Sequence, residues 1–237
     1  MSYESNFLSV PGVSMKTKVI VADDHPLFRE AMKQVLPQVI DDCDVLEAES
    51  FFELEQELAT HGDIDLILMD LHMPGNKGFV GLNLIKAEYP AIAVVMVSAT
   101  ETAQIIHRAF SFGASGYIPK SSPFDVIKQA ISQVMMGETW MPEAIKPEVE
   151  VATANTPDDD FTARISSLTP QQFKVLTMIA DGQLNKQIAY DLNIQETTVK
   201  HHVSSILRKL NVINRTQAGV LFNQLEVEDD AQQVAEG

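Results

Sequence analysis

The sequence has a single cysteine, Cys43, among its 237 residues. One thiol excludes an intramolecular disulfide framework and any zinc site built from several cysteines, and it fits a reducing compartment. No run approaches the roughly 20 apolar residues needed to cross a bilayer. The N-terminus also lacks the basic and apolar regions of a signal peptide. We therefore expect a cytoplasmic protein without a membrane partner.

Basic residues are also scarce. The chain has 17 Lys and Arg against 33 Asp and Glu, a formal net charge of −16. A chain this acidic should be repelled by nucleic acid. The whole-chain charge therefore favours an enzyme or a protein-binding module. Hydrophobic residues make up 45% of the chain, which is enough to form a packed core.

The charge is unevenly distributed over five segments. Residues 1–15 have no clear hydrophobic period and are interpreted as an N-terminal arm, and residues 16–137 follow as a first domain. Residues 138–163 hold three prolines, one basic and seven acidic residues, which predicts an extended acidic linker. Residues 164–225 carry seven basic and three acidic residues, and residues 226–237 form an acidic tail. The average therefore conceals one basic segment.

Short apolar runs typical of strands alternate with helical patterns in the first domain. The strand-like runs are Lys18–Ala22, Val45–Ala48, Leu66–Met69, Ala93–Val97 and Gly116–Ile118. The helical patterns are Pro26–Leu36, 51–61, Phe79–Glu88, Thr102–Phe112 and Pro123–Met136. Five successive βα units predict an α/β fold, with a doubly wound five-stranded parallel sheet covered by helices on both faces.

Polar residues follow the ends of these predicted strands. Asp23 and Asp24 come after the first strand, Asp70 after the third, Ser98 after the fourth and Lys120 after the fifth. The carboxyl ends of parallel strands meet at one edge of the sheet, where ligands bind in such folds. Three carboxylates there would repel one another without a cation, and hard oxygen ligands suit Mg²⁺. With a hydroxyl and an ammonium nearby, the edge is interpreted as a phosphoryl-transfer site.

Four segments of this domain carry a family resemblance: VIVADDHPLFRE, LILMDLHMPG, VVMVSA and GASGYIPK. Together they resemble a response-regulator receiver domain, which has a flavodoxin-like fold, over residues 16–137. The resemblance implies that Asp70 is the phosphoacceptor. It also implies that Asp24, assisted by Asp23, holds Mg²⁺ together with Asp70 and the main-chain carbonyl of His72. Considered alone, Asp23 fits a helix cap equally well.

The same resemblance assigns three further residues and one partner. Ser98 and Lys120 would contact the phosphoryl group, and a sensor histidine kinase would supply it. Tyr117 stands where the family keeps an aromatic switch, and Ser98 would move with it. An aromatic residue in a strand is also compatible with simple core packing.

The basic segment has the pattern of a helix-turn-helix. Thr169 and Pro170 begin one helix, a second covers Asn185–Asp191, and a third begins near Glu196. The third helix has one apolar stripe at helical spacing: Val199, Val203, Ile206, Leu207 and Leu210. Its opposite face is polar and partly basic, which fits a helix that enters the DNA major groove. A small helical docking module has the same periodicity.

Residues 168–218 resemble the LuxR-type DNA-binding domain, including the segments NKQIA and TVKHHV. With the receiver, the chain is similar to a NarL-type two-component regulator. The resemblance implies that Lys200, His201 and Ser204 face the groove and that Lys186, Thr198 and His202 lie near phosphates. Arg208 is a further polar residue on that face. Gln171-Gln172 stands where the family usually has Arg-Glu, so a helix-end ion pair that is common in the family is absent here. Ser204 stands where the family often has a basic residue. An apolar stripe from Thr216 to Leu225 resembles the family's dimerisation helix, and it is equally compatible with core packing.

The sequence therefore predicts a phosphorylation-dependent transcriptional regulator rather than an enzyme. Its expected partners are a sensor kinase, double-stranded DNA, a second copy of itself when active, and RNA polymerase. A Mg²⁺-dependent phosphohydrolase, or a receiver controlled by a ligand or protein partner without phosphorylation, are the alternatives. The excess negative charge outside the basic segment leads us to expect that the receiver and linker shield its DNA-reading face before activation.

Overall fold

The computed structural model describes residues 16–76, 78–152 and 157–223. The predicted N-terminal arm and acidic tail lie outside the described residues. Within them, a five-stranded, all-parallel sheet has the strand order β2-β1-β3-β4-β5. This arrangement confirms the predicted doubly wound fold.

The strands and helices occur close to their predicted positions. The strands are β1 Thr17–Ala22, β2 Cys43–Ala48, β3 Leu66–Asp70, β4 Ala93–Ser98 and β5 Gly116–Pro119. The receiver helices are α1 Pro26–Val35, α2 Phe51–Thr60, α3 Phe79–Glu88, α4 Ala103–Ser111 and α5 Phe124–Met135. The remaining helices are α6 Lys146–Ala152, α7 Pro157–Ser166, α8 Pro170–Ala180, α9 Asn185–Asp191 and α10 Glu196–Leu210.

Alternate residues of the central strands enter two separate cores. On β1, Ile20 packs into the core that also contains buried residues of α2, α3 and α4. Val19 and Val21 point to the opposite core, with buried residues of α1 and α5. Strands buried on both faces explain why their sequences are continuous apolar runs rather than alternating ones.

Local signals set several helix starts. The Ser50 side chain accepts a hydrogen bond from the main-chain N–H of Glu53 at the start of α2. At the start of α8, Thr169 and Gln172 form a reciprocal capping box. Both caps satisfy main-chain groups that have no partner within the helix.

The prediction of an extended linker was wrong. Residues 138–163 contain α6 and most of α7, and both helices pack against α4. Val149 and Ile165 are buried there with other apolar side chains. Trp140 also forms a bridge to Gly116, so the residues directly after α5 still join the sheet edge. Burial of apolar surface stabilises these two helices. The prolines and charges of the segment made the helices hard to predict from the sequence.

The C-terminal helices form a helix-turn-helix whose first helix lies on the receiver. The apolar face of α10 packs against α8 and α9, and residues 215–223 form a further helix. Helix α8 packs against α3, where Lys174 Nζ lies 3.6 Å from the Glu88 carboxylate. The Ser166 hydroxyl donates a hydrogen bond to the main-chain oxygen of Ser111. None of the described helices is long and apolar enough to span a membrane.

Candidate functional site

Three predicted site residues meet at the carboxyl edge of the sheet. Asp23 directly follows β1, Asp70 is the last residue of β3, and Lys120 directly follows β5. Lys120 Nζ lies 2.9 Å from Asp23 Oδ2 and 3.0 Å from Asp70 Oδ2. Asp23 and Asp70 are both almost fully buried. The ammonium group therefore links two carboxylates that would otherwise repel each other inside the protein.

His25 joins the same cluster. Its Nδ1 lies 2.6 Å from Asp24 Oδ1 and 3.0 Å from Asp23 Oδ1, and its main-chain N–H donates to Asp23 at 2.8 Å. Lys120 Nζ lies 3.3 Å from the same ring nitrogen. The sequence pattern does not indicate these ring contacts, because they depend on how the turn after β1 folds.

The environment of Asp70 alters its titration. Burial raises the pKa of the Asp70 carboxyl above its ordinary value, the Lys120 ammonium opposes this rise, and the Asp23 carboxylate adds to it. The main-chain N–H of His72 donates a hydrogen bond that lowers the pKa again. The protein thus holds Asp70 in a desolvated position where the stabilisation of its negative charge depends on its neighbours.

Ser98 lies on β4, the strand next to Asp70, and Tyr117 lies on β5, one strand further along the sheet. Ser98 ends β4 and is fully buried, and its hydroxyl oxygen accepts a hydrogen bond from the main-chain N–H of Thr100. The main-chain N–H of Lys120 donates to the Ser98 carbonyl at 2.8 Å. Tyr117 is also fully buried, and its hydroxyl donates to the Thr100 carbonyl. One short segment of chain therefore contacts both predicted switch residues.

The loop after Asp70 is held by a side chain that sequence reasoning did not single out. Asn76 Nδ2 donates to the Leu71 carbonyl at 2.8 Å, and Asn76 Oδ1 accepts from the main-chain N–H of Gly81 at 3.2 Å. These bonds connect the loop that contains His72 to the first turns of α3. A Cβ atom at Gly81 would lie 2.4 Å from Asn76 Oδ1, so the absent side chain makes this contact possible.

The donor atoms at this edge are compatible with a bound cation. Asp23, Asp24, His25 and Asp70 each offer one ligand atom, and these atoms lie within 4.8 Å of one another. Three of the four are carboxylate oxygens, the ligand type that Mg²⁺ prefers. The residues present therefore fit the metal that the receiver fold implies.

Arg29 is a second residue that sequence reasoning missed. It lies on α1 and is only 5% exposed, and its guanidinium contacts the turn that contains Asp23. The available signal was its spacing, because Arg29 lies three residues before the buried Met32 on the same helix face. An arginine is almost never fully buried unless it is paired.

The polar face of α10 is accessible in the described part of the chain. Lys200, His201, Ser204 and Arg208 are exposed, as are Lys186 and Thr198, whereas His202 is partly buried. The expectation that the receiver and linker shield this face was therefore wrong for the described residues. Helix α8, not α10, faces the receiver, because the apolar stripe of α10 is already buried within its own domain.

Gln172 stands where the family usually has an acidic residue, and its side-chain amide makes hydrogen bonds instead of an ion pair. Its side-chain nitrogen donates to the Ser205 hydroxyl at 3.0 Å, and its oxygen accepts from Lys209 Nζ at 2.9 Å. The sequence predicted the loss of an ion pair at this end of α8. The structure shows that hydrogen bonds still connect α8 to α10.

Two family matches cover most of the described chain. Residues 19–132 match the family described as the response regulator receiver domain. Residues 166–222 match the bacterial regulatory proteins of the luxR family. The two regions correspond to the α/β sheet domain and to the helix-turn-helix.

Relatives extend the similarity over both domains. The chain is 43% identical over 204 residues to a glycerol metabolism activator from Pseudomonas putida, covering 85% of this chain and 92% of that protein. It is 35% identical over 207 residues to the nitrate/nitrite response regulator protein NarL from Escherichia coli strain K12, covering 87% of this chain and 94% of the relative.

A solved structure of the RcsB response regulator from Salmonella enterica serovar Typhimurium, bound to a promoter in the presence of the phosphomimetic BeF₃⁻, is also similar. It is 25% identical with a TM-score of 0.53 and covers 87% of this chain and 98% of that chain. The receiver match comes before the luxR match along the chain, and each relative covers both domains. The chain therefore belongs to the NarL/LuxR-type response regulators, transcriptional regulators that join a receiver domain to a luxR-type DNA-binding domain.

Proposed function

We propose that Asp70 accepts a phosphoryl group from a sensor histidine kinase and that this modification controls promoter binding by the C-terminal domain. The observation that carries the proposal is the position of Lys120, whose ammonium contacts both Asp70 and Asp23 at the edge of the sheet. An ammonium in that position stabilises negative charge that develops on phosphoryl oxygens during transfer.

In the transfer step, an Asp70 carboxylate oxygen attacks the phosphorus of a phosphohistidine. The P–N bond breaks, its electron pair returns to the imidazole nitrogen, and an acyl phosphate forms on Asp70. Lys120 neutralises part of the phosphoryl charge. Ser98, at the end of the neighbouring strand, supplies a hydroxyl that donates a hydrogen bond to a phosphoryl oxygen.

Asp23, Asp24, Asp70 and the main-chain carbonyl of His72 are the proposed ligands of Mg²⁺. When bound, Mg²⁺ neutralises charge on the phosphoryl oxygens and holds the acceptor in place. The buried position of Asp23 and Asp70 supports this assignment, because carboxylates removed from water need positive charge nearby.

Phosphorylation is proposed to act on DNA binding through Ser98 and Tyr117. If Ser98 turns toward the phosphoryl group, the hydrogen bond from the Thr100 N–H is lost, and this change extends to the carbonyl that accepts the Tyr117 hydrogen bond. The segment from 99 to 102 leads directly into α4, and α6 and α7 pack on α4. The receiver at 16–137 and the DNA-binding domain at 164–225 would then reorient, which permits dimers to form.

Each subunit of the dimer would place α10 in the major groove of one half-site. Base edges are assigned to Lys200, His201 and Ser204, and phosphate contacts to Lys186, Thr198 and His202, with Arg208 at the rim. The structure of RcsB bound to a promoter in the presence of the phosphomimetic BeF₃⁻ supports the proposal that a phosphorylated receiver is compatible with promoter binding. We place the protein in the cytoplasm, with RNA polymerase as a later partner at the promoter.

The test compares the protein with its Asp70→Asn variant after incubation with acetyl phosphate and Mg²⁺. Intact-mass analysis should show one added phosphoryl group on the wild type alone. Genome-wide mapping of bound DNA should then show altered occupancy for the wild type alone. Labelling or switching of the variant would overturn the proposal, and continuous release of phosphate from small esters would indicate the phosphohydrolase.

A further inference from the structure

We propose that Arg29 is a positioning residue for the aspartates after β1 and that its contacts set the affinity of the site for Mg²⁺. The inference rests on the proposed function of that site. Arg29 lies on α1, and its described contacts include neither the phosphoacceptor nor Lys120.

Arg29 anchors the main chain of Asp23 through a hydrogen bond. Its Nη1 donates a hydrogen bond of 2.7 Å to the Asp23 carbonyl oxygen, and this bond is buried. On the other side of the residue, the Asp23 N–H donates to the Ala48 carbonyl at 3.0 Å. Both polar groups of the Asp23 main chain are thus fixed at the point where the chain leaves the sheet.

This anchoring determines where the next side chains lie. Asp23 and Asp24 share the turn between β1 and α1, and each offers one oxygen to the candidate cation site. An ion that accepts only a narrow range of ligand geometry, as Mg²⁺ does, is sensitive to small displacements of such oxygens. Residues that orient metal ligands from outside the coordination sphere commonly contribute about 10–100-fold to metal affinity.

Two glutamates from the end of β2 compensate the buried charge. Arg29 Nε donates to Glu47 Oε2 at 3.1 Å, and Arg29 Nη2 donates to Glu49 Oε1 at 2.5 Å. Glu47 and Glu49 are both more exposed than the guanidinium. The glutamates therefore offset the positive charge of Arg29, which would otherwise repel a cation nearby. Their hydrogen bonds also orient the guanidinium plane toward the Asp23 carbonyl.

The Asp23 carbonyl, Glu47 and Glu49 each bond to a different nitrogen of the Arg29 guanidinium. A lysine side chain has one nitrogen and does not match this arrangement. The guanidinium places five N–H donors in a rigid plane, whereas an ammonium is a compact charge on a flexible stem. Helix α1 supplies a matched comparison in Lys33, one turn later. Lys33 Nζ also bonds Glu47, at 2.8 Å, yet its described contacts do not include Asp23.

The experiment measures Mg²⁺ binding by calorimetry on the full chain, for the wild type, Arg29→Lys, Arg29→Met and Lys33→Met. Each variant is held well below its own thermal unfolding midpoint. We expect a roughly 10-fold or greater loss of affinity for both Arg29 variants. Lys33→Met should remain within about twofold of the wild type.

A second measurement separates positioning from a general loss of stability. The rate of acyl-phosphate formation from acetyl phosphate is followed against Mg²⁺ concentration. For Arg29→Lys, the half-saturating concentration should rise while the rate at saturation stays close to that of the wild type.

Wild-type Mg²⁺ affinity in a folded Arg29→Lys variant would overturn the inference, even if that variant melts at a lower temperature. If the wild type itself neither binds Mg²⁺ nor becomes phosphorylated, the proposed function fails instead. The two failures are therefore distinguishable.

Discussion

The hydroxyl of Tyr117 donates a hydrogen bond to the main-chain oxygen of Thr100, and the main-chain N–H of Thr100 donates to the hydroxyl oxygen of Ser98. The peptide groups of one residue thus join the two residues that the family resemblance assigns to the switch. A phenylalanine at this position would fill the same space but would lack the hydrogen bond to Thr100.

Tyr117→Phe should therefore separate phosphorylation from its output. We expect a loss of about 1 kcal/mol in the free energy of unfolding from the missing hydrogen bond. Acyl-phosphate formation on Asp70 should continue at close to the wild-type rate, while the change in DNA affinity on phosphorylation becomes smaller. Mass analysis and fluorescence anisotropy with promoter DNA measure the two effects, and an unchanged DNA response would show that Tyr117 only packs.

Asp70→Asn should stabilise the chain at neutral pH in the presence of a chelator. Burial raises the pKa of Asp70 above its ordinary value of 3.8, so the folded state holds the proton more tightly than the unfolded state. The folded state therefore loses stability as the pH rises from 3.8 through the raised pKa of Asp70. Above that raised pKa, the destabilising effect of the buried carboxylate is fully present. The variant should unfold at a higher temperature than the wild type at pH 7, with a smaller difference near pH 4.

That prediction has a specific control. Asp125→Asn removes a carboxylate that is almost fully exposed on α5, so its effect should be close to zero at both pH values. A lower unfolding temperature for Asp70→Asn than for the wild type at pH 7 would show that the contact with Lys120 outweighs the cost of burial.

Gly81→Ala should destabilise the loop that holds His72. The new Cβ would lie 2.4 Å from Asn76 Oδ1 and 2.6 Å from the Phe51 ring, so atoms must move. We expect a cost of about 1–3 kcal/mol in the free energy of unfolding. Denaturant unfolding measures it, and Gly62→Ala is the matched control because no atom lies within 4 Å of its added Cβ.

Substitutions on the DNA-binding domain should distinguish base contacts from phosphate contacts. Lys186→Ala should weaken binding to all sequences and reduce the slope of log affinity against log salt by about one. Lys200→Ala should also reduce discrimination between the operator and its mismatched variants. Lys128→Ala, on α5 of the receiver, should change neither quantity. An unchanged salt slope for Lys186→Ala would remove that residue from the phosphate contacts.

Gln172→Ala tests the hydrogen bonds that replace the family's ion pair. The change removes half of a capping box and the contacts with Ser205 and Lys209. We expect a loss of about 1–2 kcal/mol in the free energy of unfolding. The neighbouring Gln171→Ala is the control. Equal effects of the two substitutions would show that the bonds to α10 contribute nothing.

Local patterns were sufficient for most of the secondary structure. The bounds of α3 and α9 match the prediction residue for residue, and those of the strands differ by at most two residues. These elements combine a strong hydrophobic period with a clear stop, such as Pro90 after α3. Helices α6 and α7 were missed because their stability comes from burial against α4, and no short window of sequence contains that contact.

The sequence by itself determined the two domains, the order of strands and helices within each of them, and the residues at strand ends that point to phosphoryl transfer. The tertiary structure decided which distant groups became partners. Arg29 meets Glu47, Glu49 and the Asp23 carbonyl only because β2 pairs with β1 and α1 covers that edge. A buried charge needs several partners at once, and folding alone brings partners from separate segments together.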